Sequence, residues 1–146
     1  MKRILFYLML IGAAPLAAQE PAPASREAAL DKANGVVLFR GVDGTYFDLE
    51  SDAATQSAVS YLNILDWLSG RVAGLQVYRV RGVPVPWIRN RPAALYIDEM
   101  PVDPVFFQAL SVHDIALVKV MKGPIVFPWS SPGGVIAVYT KGGEES

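Results

Sequence analysis

The chain has 146 residues, 52% hydrophobic and 18% charged, with a formal charge of −1 and no cysteine. That length suits one domain with its own core. The missing cysteines exclude a disulfide framework, a thiolate metal site and a cysteine-borne lipid anchor. The charge balance gives no reason to expect nucleic-acid binding.

Met1-Lys2-Arg3 is a basic start, residues 4–11 are an apolar run, and Ala13-Ala14-Pro15-Leu16-Ala17-Ala18-Gln19 supplies small residues for cleavage. Residues 1–19 therefore read as a secretory signal peptide. The uninterrupted apolar stretch is shorter than the roughly 20 residues of a membrane span, so no span is expected in the mature chain. Without Lys2 and Arg3 the 13 basic groups fall to 11 against 14 acidic ones, a balance of −3. Residues 20–33 read as a flexible leader, helical around 26–32. Residues 34–143 read as a single domain.

Residues 36–39 form a short apolar run. Gly41-Val42-Asp43-Gly44 is a turn signal, and Thr45-Tyr46-Phe47-Asp48-Leu49 can return as a strand, giving a β-hairpin. Residues 54–69 predict a helix, with Ala58, Tyr61, Leu62, Leu65 and Leu68 at helical spacing. Ser51, Asp52 or Thr55 would cap its start, and Gly70 would end it in a left-handed turn. Residues 75–81 predict a strand with Val77, Arg79 and Arg81 on one face and Tyr78 and Val80 on the other.

Val83-Pro84-Val85-Pro86 reads as a linker or an edge, because proline has no ladder donor. Residues 87–91 can form a short returning strand, and residues 94–98 another. Asp103-Pro104 opens a short helix over 105–110. Residues 115–121 and 135–140 are strands. The second is apolar almost throughout, as a buried strand is. Residues 124–134 form a proline- and glycine-rich loop. Helices and strands mix without strict alternation, so the expected class is α+β, a small mixed sheet with two or three short helices.

Four segments carry a family resemblance. They are Gly70-Arg71-Val72-Ala73-Gly74-Leu75-Gln76-Val77, Leu95-Tyr96-Ile97-Asp98-Glu99-Met100-Pro101-Val102, residues 114–123, and residues 134–143. In this order they resemble the plug domain of TonB-dependent outer-membrane receptors, above all the SusC-like branch. The resemblance covers residues 63–143. A full receptor closes its plug in a barrel of roughly 22 strands. At about 10 residues per strand that needs on the order of 220 residues, more than this sequence holds. The chain also departs from the pattern. Glu99 stands where relatives carry glycine, Ile88-Arg89-Asn90-Arg91 lacks a closing glycine, and the loop Phe127-Pro128-Trp129-Ser130-Ser131-Pro132-Gly133-Gly134 lacks the usual arginine.

No catalytic set stands out. His113 is the only histidine, with Asp114 beside it as a cap. Asp98 and Glu99 adjoin, and neighbouring strand residues point to opposite faces, so a turn role suits Asp98 better than acid–base chemistry. The glycines form no phosphate cradle. Neither a metal nor a cofactor is expected.

Two clusters remain. Arg71, Arg79, Arg81, Arg89 and Arg91 fall close together in sequence, and they suit either a solvated strand face or bidentate contacts to an acidic partner. Trp87, Phe106, Phe107, Phe127 and Trp129 suit either packing over the sheet ends or a contact patch.

The expected partner-binding residues are thus Arg79, Arg81, Arg89, Arg91, Trp87, Phe127 and Trp129, with the loop at 124–132. The resemblance implies an exported, non-enzymatic module, periplasmic or outer-membrane-associated, whose partner is an envelope protein such as an outer-membrane transporter. A periplasmic module for a small glycan or peptide ligand is a second expectation, and a receptor remnant without its barrel a third. Bare strand edges would favour dimerisation by edge pairing.

Overall fold

The computed structural model describes residues 12, 22–51, 53, 55–125 and 131–142. The expected signal segment, Gly12 aside, and the loop residues Phe127 and Trp129 lie outside them. In chain order the elements are α1 (Pro23–Ala33), β1 (Thr45–Asp48), a 3-10 turn (Gln56–Ser60), α2 (Ile64–Ser69), β2 (Leu75–Val80) and β3 (Val83–Ile88). Then come β4 (Arg91–Pro92), β5 (Ala94–Ile97), β6 (Met100–Val102), α3 (Pro104–Gln108), a second 3-10 turn (Val112–Asp114), β7 (Ile115–Lys122) and β8 (Gly134–Thr140). The class is α+β, with two sheets rather than one.

The apolar runs of β7 and β8 place these strands inside a five-stranded sheet of order β1-β7-β8-β5-β6. Only β5 and β8 run parallel. Both faces of the sheet are covered. On one face Val118, Val120, Ile136 and Val138 meet Leu65, Leu68, Leu75, Ile88 and Phe107 from α2, the β2–β3 hairpin and α3. On the other, Leu117, Met121, Val135 and Tyr139 meet Val36 and Phe39 from the segment after α1. A strand buried on both sides loses the polar alternation of a one-sided strand, which is why β8 reads as a continuous apolar run.

Several expectations need correction. Residues 36–39 are not a strand. β1 pairs with β7 instead, Thr45 opposite Val120, while Val36 and Phe39 plug into the sheet face, Phe39 meeting Tyr96 edge-on at 5.0 Å. The helix expected over 54–69 is broken at residues 61–63. Asn63 is extended, and its side chain accepts the Leu65 N–H at 2.7 Å, so Asn63 starts α2 rather than Ser51 or Thr55. Thr55 spends its hydroxyl on the Asp48 carbonyl, 2.6 Å away; Asp52 lies outside the described residues. Tyr61 and Leu62 turn to solvent, Leu62 almost completely. Gly70 stays right-handed at φ −86°; the left-handed residue is Gly74, at φ +81°. Ser111, not Asp114, caps the second 3-10 turn, accepting the His113 N–H.

The Pro84-Pro86 stretch is a strand and not a linker, and the edge expectation holds at Pro84, because β4 pairs only with Trp87 and Ile88. It forms β3, paired along its whole length with β2. The Ala93 N–H donates to the Pro86 carbonyl, so the main chain of Pro86 faces away from β2. In an antiparallel pair such residues owe no donor to their partner strand, and both prolines occupy positions of that parity.

Candidate functional site

The four hairpin arginines do not share one face. Arg79 leans toward α2 and pairs with Asp66 at 2.7 Å, both groups well exposed. Arg81 and Gly82 make the two-residue turn between β2 and β3, with φ of 51° and 83°. Arg89 and Asn90 make the turn between β3 and β4, with φ of 51° and 61°. Both are left-handed turns that match the twist of an antiparallel hairpin. Arg81 therefore sits at one end of β3, and Arg89 and Arg91 sit at the other. Arg71 is elsewhere, its guanidinium 4.4 Å from the centre of the Trp67 ring.

Arg89 and Arg91 do meet the proline-rich loop. With Ile88, Gly123, Pro124, Pro132 and Gly133 they line a cleft of about 190 Å³. The loop base is fixed by backbone bonds between Ile125 and Ser131, and Gly133 N–H donates to Pro92 O at 3.1 Å. A Cβ on Gly133 would overlap the Arg91 carbonyl, so only glycine lets the loop pass this close to β4. Trp87 sits half-buried on the opposite face of the hairpin, edge-on to Tyr78 at 5.8 Å. Tyr78, Val80, Trp87 and Asn90 line an open groove of about 470 Å³ there. Phe106 is exposed on α3, whereas Phe107 is buried in the core.

The structure also gives partners to residues for which the sequence suggested no more than a turn role. The Asp98-Glu99 turn joins β5 to β6 with φ of 46° and 71°, a conformation that favours glycine or asparagine. Its strain is held by hydrogen bonds. Asp98 accepts from Thr140 N–H at 2.8 Å and from the Thr140 hydroxyl. Glu99 accepts from the Val37 and Leu38 N–H groups at 3.1 and 2.6 Å, and from Tyr139 Oη at 2.7 Å. The two carboxylates diverge, as turn roles require. Burial, and then the bond to Glu99, push the Tyr139 hydroxyl well above the ordinary phenol range.

A second cluster anchors α1. Lys119 is fully buried in β7 on the face that Leu117 and Met121 share. Its ammonium donates to the Phe39 carbonyl at 2.6 Å, lies 3.4 Å from the Asp31 carboxylate, and sits 4.7 Å from the Tyr46 ring centre. Asp31 also accepts from Tyr46 Oη at 3.0 Å and from Gly41 N–H at 3.3 Å. Burial, followed by the Asp31 hydrogen bond, raises the Tyr46 hydroxyl above its usual range. A lone lysine inside an apolar strand was the available signal, because a buried ammonium needs a counter-ion.

No group of three His, Cys, Asp or Glu side chains that could hold a metal occurs among the described residues. Nor is any described helix long and apolar enough to cross a membrane.

Comparison with solved structures gives a match to the ferric yersiniabactin uptake receptor FyuA of Yersinia pestis, at 18% identity and a TM-score of 0.54. The chain shares its fold with part of an uptake receptor. The match covers 80% of this chain and 19% of FyuA. The likeness is thus to one portion of a much longer protein, and it agrees with a small plug-like domain. No family model and no curated protein matches the chain.

Proposed function

We propose that this chain is an exported, non-enzymatic plug-like module that binds a protein partner in outer-membrane, TonB-dependent uptake, nearest in kind to the SusC-like branch. The observation that carries this reading is the receptor fold, aligned over 80% of the chain. The four plug-like segments add support, because they fall on the α2–β2 region, β5–β6, β7 and β8, the framework of both apolar layers.

The partner surface is the end of the hairpin where Arg89 and Arg91 adjoin the 124–132 loop, which carries Phe127 and Trp129. Two guanidiniums beside a shallow apolar cleft suit a carboxylate flanked by apolar side chains. Trp87 lies on the opposite face of the hairpin and would add a separate apolar contact. Arg79 contributes less, because Asp66 already neutralises it, and Arg81 forms an outlying contact at the far turn.

The test is affinity purification from the envelope of the native host. The wild type is expected to recover an outer-membrane transporter, and Arg89→Ala with Arg91→Ala to lose it. Equal recovery by both forms would remove the arginine end from the account.

A further inference from the structure

β2 is the outer strand of the three-stranded sheet, and no described strand covers its other edge. The parity set by Pro86 shows which groups are left bare. Pro86 turns its main chain away from β2, so Val77, directly opposite, turns its own main chain outward. Arg79, opposite Pro84, does the same. Two donors and two acceptors therefore line an unpaired edge.

Exposed edges are usually blunted by an unpaired charge, a proline or a bulge. Here the one charge, Arg79, is held by Asp66, and both prolines lie on β3. Beside the bare edge, Tyr78 and Val80 are exposed and, with Val83, Val85 and Trp87, make one apolar face.

We infer that a second copy of this chain fills the edge, its β2 antiparallel to the first about a two-fold axis at Tyr78. A neighbour must offer donors and acceptors at the same spacing and apolar groups on the same face. β2 inverted on itself meets both needs. Val77 of each copy falls opposite Arg79 of the other as a hydrogen-bonded pair, and the two Tyr78 residues face each other as the non-hydrogen-bonded pair between them. Gln76 falls opposite Val80. The two hairpins join into one six-stranded sheet, and the apolar faces become continuous. Each Arg79 brings its own Asp66, so the seam is charge-balanced. The contact is a single short strand, which places the association in the weak, reversible class. This inference stands apart from the receptor-docking reading, which uses the other end of the hairpin.

The chain has no cysteine, so single thiols report the register directly. Cα atoms of a non-hydrogen-bonded pair lie about 4.5 Å apart, within disulfide reach. On mild oxidation, Tyr78→Cys is expected to give a covalent dimer. Gln76→Cys and Val80→Cys, each alone, are expected to stay monomeric, and their mixture to give a mixed dimer. All three positions are exposed, so folding should survive, and circular dichroism checks that it does. Adding Arg79→Pro to Tyr78→Cys removes an outward N–H that the β2–β3 ladder does not use, and cross-linking is expected to drop while the fold persists. A Tyr78→Cys yield no higher than that of Ser60→Cys would overturn the inference. Self-cross-linking of Gln76→Cys equal to that of Tyr78→Cys would overturn the register, as would cross-linking indifferent to Arg79→Pro.

Discussion

Replacing Asp31 by alanine tests whether the segment around α1 is part of the folded unit. The carboxylate serves three donors. It lies 3.4 Å from Lys119 Nζ, accepts from Tyr46 Oη at 3.0 Å, and accepts from Gly41 N–H at 3.3 Å. At the 3.4 Å separation, an effective dielectric near 20 puts the Coulomb attraction at about 5 kcal/mol. Burying both ions offsets much of that gain, so the pair itself adds little net stability. Removing one partner is different, because it leaves the Lys119 ammonium with the Phe39 carbonyl and the Tyr46 ring alone. The expected cost of Asp31→Ala is therefore about 3–5 kcal/mol. Asp31→Leu combined with Lys119→Met should recover most of it, since apolar replacement of a buried pair is often neutral. Urea unfolding with linear extrapolation measures both, and equal m-values would confirm that the comparison is of like states. Limited trypsinolysis gives a second readout, with cleavage at Lys32 and Arg40 accelerated in Asp31→Ala. A loss below about 1 kcal/mol, with no recovery in the double variant, would refute the buried-pair reasoning.

Three further outcomes follow from the same structure. Glu99→Gly relieves a φ of 71° but gives up contacts to Val37, Leu38 and Tyr139; the net is a loss of about 1–3 kcal/mol, with faster amide exchange at Val37 and Leu38. Gly134→Ala drives a Cβ into the Met121 carbonyl at φ +125°, so it should cost about 3–5 kcal/mol, while Gly70→Ala, in open space, should stay within about 0.5 kcal/mol; thermal melts of the two separate them. Alkaline pH is the third case. The Tyr46 and Tyr139 hydroxyls ionise above the ordinary phenol value of 10.0 in the fold, so their contribution is complete below that value and is lost as pH rises toward the folded one. Stability measured by urea titration should fall above about pH 10, and Tyr46→Phe with Tyr139→Phe should flatten that decline.

What the sequence conveyed was mostly local chemistry. The apolar runs of β7 and β8, the Asp103-Pro104 start of α3 and the strand at residues 75–80 are all set by neighbouring residues, and all are in the structure. Long-range partners were not legible. Residues 36–39 look like a strand by composition, but Glu99, 61 positions from Leu38, takes their amides. The stripe at Ala58, Tyr61, Leu62 and Leu65 fits a helix, yet an asparagine side chain breaks it by capping the next one. The prolines of β3 argued against the interior of a central strand because sequence does not show which side a nitrogen faces. For the candidate site, the arginines were visible as a cluster, whereas their separation to opposite ends of β3 depends on two left-handed turns. The Lys119–Asp31 anchor and the Glu99 clasp join residues far apart in the chain, and no spacing rule reaches that far.

Photo-cross-linking in the native host asks the central question most directly. A photoreactive residue in place of exposed Pro124 sits beside the cleft that Arg89, Arg91 and Pro132 line. A product containing an outer-membrane TonB-dependent transporter, absent when the same probe replaces exposed Ser60, is the result the plug-like reading predicts. Transporter adducts of equal yield from both positions, or none from either, would contradict it.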